Sequence, residues 1–98
     1  MATYISLFNY TEQGVKNFKD TRKRAAAFEA MAKKSGVSVK TVFWTMGRYD
    51  GVVILDAPDD QAVTTTLLQL AAAGNVHTTT LRAFNGEEID AIIAKATR

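Results

Sequence analysis

His77, the only histidine in this 98-residue chain, and Asp50 are the two residues best suited to move a proton. An imidazole titrates near neutrality, so His77 becomes an acid–base group if it lines a cavity. Tyr4, Phe8, Trp44 and Tyr49 offer aromatic surface for an apolar ligand, and Arg82 offers a fork of donors for an anionic one. Each has a plainer reading. Tyr49-Asp50 suits turn chemistry, with Asp50 accepting backbone N–H groups. His77 suits a satisfied strand end, Trp44 a core or subunit interface, and Arg82 a rim pair with an acid. Asp59-Asp60 and Glu87-Glu88 read as helix N-terminal acids. The absence of Cys excludes disulfides and thiolate metal sites. One His and no loop of calcium-site spacing leave no metal centre to expect. Gly47 and Gly51 do not precede a helix, so no phosphate-cradling loop forms, and no cofactor is expected.

The elements that must position these groups follow from periodicity. Residues 2–10 alternate and are rich in aromatic and β-branched types, which predicts a strand. Thr11 then caps a helix whose apolar stripe is Val15, Phe18, Ala25, Phe28 and Ala32, with Arg22 laid along it and a stop at Gly36. Residues 37–46 and 50–57 read as strands joined through Gly47-Arg48-Tyr49, a β-hairpin. Pro58 ends the second of them. Asp59 and Asp60 open a helix carrying Val63, Leu67, Leu70 and Ala71, which stops at Gly74. Its Thr64-Thr65-Thr66 run is poor helix material, so packing must override propensity there. Residues 76–84 are again extended. Asn85, with Glu88 three residues on, predicts a capping box before a last helix striped by Ile89, Ile92, Ile93 and Ala96.

The order βαββαβ plus a C-terminal helix predicts one α+β domain over residues 1–98, a ferredoxin-like four-stranded antiparallel sheet with two helices on one face. That architecture takes strand order 4-1-3-2. It brings Asp50, His77, Phe8–Tyr10 and Trp44–Met46 to one end of the sheet, with Asp50 and His77 about two strand spacings, roughly 9–10 Å, apart. A substrate or water bridges such a gap; a direct hydrogen bond does not.

The face away from the helices should be polar if it meets water. Here both parities are apolar: Tyr4, Ser6, Phe8 and Tyr10 against Ile5 and Leu7; Val37, Val39 and Phe43 against Val42, Trp44 and Met46; Val52 and Ile54 against Val53 and Leu55. A patch of that size marks an interface. Face-to-face pairing of two copies, a dimeric α/β barrel, is favoured over the last helix folding across the sheet.

Gly47-Arg48-Tyr49-Asp50-Gly51, continued by Val52-Val53-Ile54-Leu55 and Asp56-Ala57-Pro58-Asp59-Asp60, resembles the GYD family, named for its Gly-x-Tyr-Asp element. Tyr4-Ile5-Ser6-Leu7-Phe8 and Thr80-Leu81-Arg82-Ala83-Phe84 fit it too, so the resemblance spans essentially the whole chain. It implies a dimeric α/β barrel, often in small assemblies. It implies no particular activity and assigns no catalytic residue.

Composition narrows the function classes. The formal charge of +2 selects no partner, but residues 11–36 gather Lys16, Lys19, Arg22, Lys23, Arg24, Lys33 and Lys34 against Glu12, Asp20 and Glu29. Without interleaved aromatics this reads as a solvated helix face rather than a nucleic-acid surface. The long uncharged run 62–81 is too rich in Thr, Asn and Gln to span a membrane, and no signal-peptide order opens the chain, so a cytoplasmic location is expected. Three readings remain open. One is an oligomeric binder of a small apolar or aromatic ligand, held by Tyr4, Phe8, Trp44, Tyr49 and Arg82 between sheets. The second is a cofactor-free monooxygenase or isomerase using Asp50 or His77. The third is a purely structural assembly unit.

Overall fold

A computed structural model describes residues 1–97. Its elements are β1 (Ala2–Tyr10), α1 (Glu12–Lys16), a 3₁₀ turn (Phe18–Asp20), α2 (Thr21–Lys34), β2 (Ser38–Trp44), β3 (Gly51–Ala57), α3 (Asp60–Ala72), β4 (Val76–Ala83) and α4 (Gly86–Ala96). The strands form one sheet of order β2-β3-β1-β4 in which every neighbouring pair is antiparallel. This is the expected order. α2 and α3 pack against the same face, as two β–helix–β crossovers of one hand require.

The helix after β1 is not continuous. The Thr11 hydroxyl caps α1 by accepting from Gly14 N at 3.1 Å, but the run ends at Lys16 and restarts at Thr21. At the break the Asn17 side chain donates to Gln13 O at 3.0 Å. Competition of this kind between side chain and ladder makes Asn poor in a helix interior. The break turns Val15 and Phe18 out of the predicted stripe, leaving them 54% and 61% exposed. Ala25, Phe28 and Ala32 keep the inward face. α1 itself lies backbone to backbone on the start of β4, with Thr11 N donating to Asn75 O at 3.0 Å.

The sheet's parity is set by burial. Tyr4, Ser6 and Phe8 of β1 and Val53 and Leu55 of β3 are buried under the helices, with Phe28, Ala32 and Val63 packed on them. Ser6 Oγ and Thr80 Oγ1, 2.9 Å apart, satisfy each other inside this layer. Thr66 is fully buried and donates back to Ala62 O at 3.1 Å, so the threonine run is accommodated by hydrogen bonds to the preceding turn.

β2 departs from simple alternation. Its register shifts between Val39 and Thr41, so Val39 pairs with Leu55 while Thr41 pairs with Ile54. The bulged residue, Lys40, exchanges the two faces. Val37 and Val39 therefore share the helix side with Val42 and Trp44, and Phe43 moves to the opposite side. The expected grouping of Phe43 with Val37 and Val39 is corrected accordingly.

The helix-free face carries Ile5, Leu7, Val52 and Ile54, all half-buried, with Phe43 and Leu81 59% and 49% exposed. α4 does not cover it. The capping box at Asn85 and Glu88 forms as expected, yet Ile89, Ile92 and Ile93 stay 42%, 40% and 53% exposed. The molecule measures 53 × 31 × 18 Å with a radius of gyration of 14.9 Å, against about 13 Å for a compact chain of this length. α4 stands off the body as an arm.

Candidate functional site

The hairpin that carries Tyr49 and Asp50 closes on β1. Thr45 N donates to Asp50 O at 2.9 Å, Thr45 Oγ1 to Tyr49 O at 2.6 Å, and Asp50 N to Phe8 O at 2.9 Å. The Asp50 carboxylate accepts from Tyr10 N at 2.8 Å, across the end of β1. Asp50 thus closes a ladder that would otherwise end one residue early. Gly47, at φ 102°, supplies the left-handed backbone the turn needs. Tyr49 lies in this turn with the Arg48 guanidinium 5.7 Å from its ring centre.

The end of the sheet gathers what the strand order predicts: Phe8 pairs with Gly51 and Thr78, Asn9 with His77, and Trp44 with Gly51. The two faces then separate the groups. His77, opposite Asn9, is exposed on the helix-free side with Leu81. Phe8 and Trp44 point to the helix side, where they wall an apolar cavity of about 210 Å³ with Phe28, Val42, Val53 and Leu70. Trp44 is therefore a cavity wall, 40% exposed, rather than part of the open sheet face. Arg24, Thr21 and Tyr10 border the same cavity.

Tyr4 and Arg82 lie at the far end, about 13 Å from Phe8 along the strand. The buried Tyr4 hydroxyl donates to the Asp60 carboxylate at the start of α3. That hydrogen bond, reinforced by burial, holds its pKa above the ordinary tyrosine value, so the phenol stays protonated. Arg82 spreads over the rings of Tyr4 and Phe84, 5.7 and 4.6 Å from their centres, donates to Ala83 O, and pairs with Glu88 at 3.3 Å. It anchors α4 to the sheet. The five aromatic and basic residues singled out in the sequence therefore form two clusters and a turn, not one site.

Glu88 accepts from Asn85 N at 3.0 Å and from Arg82, and these contacts, the Asn85 N–H first, hold its carboxyl below the ordinary glutamate range. A depressed folded-state pKa contributes stability that is present above the unfolded value, 4.5, and is lost as pH falls through the lower folded one. Amide exchange within α4 is expected to accelerate as pH drops from about 5 toward 3, after correction for intrinsic rates. Glu88→Gln, which can still close a capping box, is expected to abolish that step. An unchanged pH profile in the variant would assign the step elsewhere.

Arg24 and Phe28 are site residues that sequence reasoning left in a solvated face and in the core, and Thr21 is one it gave no role. The signal was present: Arg24 precedes Phe28 by four residues and follows Thr21 by three, which places all three on one helix face. Among the described residues, no group of three His, Cys, Asp or Glu side chains is placed to hold a metal ion, and no helix is long and apolar enough to cross a membrane.

The arrangement defines an α+β protein with a ferredoxin-like sheet, one apolar face left open and an aromatic-walled cavity beneath its helices. A family model described as "GYD domain" matches residues 4–93, and the chain belongs to that family. It is 31% identical over 84 residues to the "Glutamine synthetase and cystathionine beta-lyase binding protein" of Thermus thermophilus, covering 85% of this chain and 88% of that one. The crystal structure of TTHA0845, also from Thermus thermophilus, superposes with a TM-score of 0.57 at 22% identity, covering 88% of this chain and 96% of the other.

Proposed function

We propose that the protein is a binding module that assembles in two copies through its open sheet faces, a dimeric α/β barrel, and holds a small apolar or aromatic ligand in each copy. The observation that carries the ligand reading is the 210 Å³ apolar cavity walled by Phe8, Phe28 and Trp44. Pockets for small molecules are mostly apolar with a few polar groups at the edge, as here. The space between paired sheets is the less favoured site, because Phe8 and Trp44 turn away from it. The assembly reading is supported by the exposed Phe43 and Leu81 beside Ile5, Leu7, Val52 and Ile54, an apolar face that α4 leaves uncovered.

A thermal-shift panel of apolar and aromatic compounds tests the ligand reading, because a ligand specific for the native state stabilises it by mass action. Saturable shifts support it; a panel in which no compound moves the melting temperature would reject it. Phe43→Lys tests assembly separately. Ultracentrifugation is expected to give twice the chain mass for the wild type and a soluble monomer for the variant. A wild-type monomer, or a variant that still pairs, would remove the sheet-face interface.

A second reading concerns protein partners, since the Thermus relative is named for binding two enzymes. The exposed stripe Ile89, Ile92 and Ile93 on α4 favours it, because an amphipathic helix without a packing partner suits a groove on another protein. The enzymatic alternative draws less support. Asp50 is occupied by the Tyr10 backbone, and His77 faces the opposite side of the sheet from the cavity.

A further inference from the structure

We infer that the cavity under α2 and α3 takes a small aromatic carboxylate, its ring between Phe8, Phe28 and Trp44 and its carboxylate on Arg24. This rests on the ligand-binding reading above and adds the ligand's size and charge. Size follows from volume. An apolar cavity of about 150 Å³ takes up benzene, whereas drug-sized ligands occupy roughly 300 Å³ or more. At about 210 Å³ the cavity suits one substituted ring or a small fused pair.

Charge follows from the lining. Arg24 is the only charged residue among those that border the cavity, and no carboxylate in that lining opposes it. Its guanidinium is already oriented: it donates to Asn17 O at 2.7 Å, to Gly14 O at 3.3 Å and to Thr21 Oγ1 at 3.5 Å. Two of those acceptors are carbonyls, Gly14 within α1 and Asn17 at the break between α1 and α2. The break that the helical periodicity did not predict thus holds a half-buried arginine at the cavity's edge. These contacts occupy one Nη1–H and both Nη2–H groups and leave Nε–H and the second Nη1–H, so an incoming carboxylate is met by single charge-assisted N–H···O contacts rather than by a two-pronged fork. A donor fixed before binding loses little freedom when the ligand arrives. Lys16, Lys19, Arg22 and Lys23 on the same segment add a positive field that draws an anion toward this end of the molecule.

Calorimetric titration with phenylacetate and with its uncharged analogue phenylacetamide tests the assignment, with the indole N–H resonance of Trp44 followed in parallel. Phenylacetate is expected to saturate with a dissociation constant below about 1 mM, to shift the Trp44 resonance, and to bind at least roughly tenfold more tightly than the amide. Arg24→Gln is expected to reduce the acid to the affinity of the amide and leave the amide within about twofold. Ala25→Leu, which enlarges a wall of the cavity, is expected to remove both while the circular dichroism stays native. If Arg24→Gln fails to fold, Arg24→Lys keeps the charge and is expected to retain the preference for the acid. Equal affinities of acid and amide for the wild type would overturn the Arg24 assignment and leave the ligand-binding reading standing. Saturation by neither, up to their solubility limits, would overturn this inference; the broader ligand reading is then decided by the thermal-shift panel.

Discussion

Gly51→Ala is expected to destabilise the fold by about 2–3 kcal/mol, lowering the melting temperature by roughly 10–20 °C, and to abolish binding in the cavity. A β-carbon at this position would overlap the edge of the Phe8 ring and stand 2.7 Å from Phe43 O. The carbonyl belongs to the β2–β3 ladder and cannot retreat without breaking pairs. Phe8 is buried, paired with Gly51 in register, and would have to swing away from the sheet. The cavity is the available space. The glycine is therefore the reason a phenylalanine lies flat at this end of the sheet and leaves a void beneath the helices. Thermal denaturation and ligand titration of the same variant check both parts. A variant of wild-type stability would mean that the sheet yields here, and would remove Gly51 from the account of the cavity.

Asp50→Ala is expected to cost about 1–3 kcal/mol, and Asp50→Asn less than half of that. The carboxylate accepts from Tyr10 N at 2.8 Å in a half-buried position, while the Asp50 backbone bridges Phe8 and Thr45. Alanine leaves the Tyr10 N–H without its acceptor; asparagine keeps an oxygen there and loses the charge. Urea unfolding of the three proteins gives the order directly. If the asparagine variant is as unstable as the alanine one, the charge rather than the hydrogen bond matters. If both match the wild type, Asp50 has no structural task, and its proton-transfer reading regains ground.

Much of the architecture was legible because local chemistry and global fold agree in this chain. Thr11, Asp59 and Asn85 each cap a helix with an oxygen on a backbone N–H, and Gly36, Gly47 and Gly74 each take the positive φ their turns require. Such signals act within a few residues, so they survive in one dimension. The α1–α2 break was not legible from the stripe of Val15, Phe18, Ala25, Phe28 and Ala32. Its hydrophobic spacing continues through Asn17, whose side chain takes Gln13 O at the break, while α1 docks against the start of β4. A β-carbon at Gly14 would collide with the Asn75 carbonyl, so α1 approaches there as no ordinary helix could.

The candidate site divides along the same line. The sequence determined the element order, and the ferredoxin-like architecture that order implies, with its strand order, determined which residues reach one end of the sheet. Sequence alone did not determine which of them share a face. Strand side chains alternate with period 2, and in β1, β2 and β3 both parities are apolar, so hydrophobicity carries no sign of direction. Tertiary packing supplied that sign. Phe28, Ala32 and Val63 sit down on Tyr4, Phe8, Val53 and Leu55, and the bulge at Lys40 turns Trp44 under the helices and Phe43 away from them. The cavity, the arginine at its edge and the open face all follow from that choice. It belongs to the three-dimensional packing because the two alternatives bury nearly the same kind of surface.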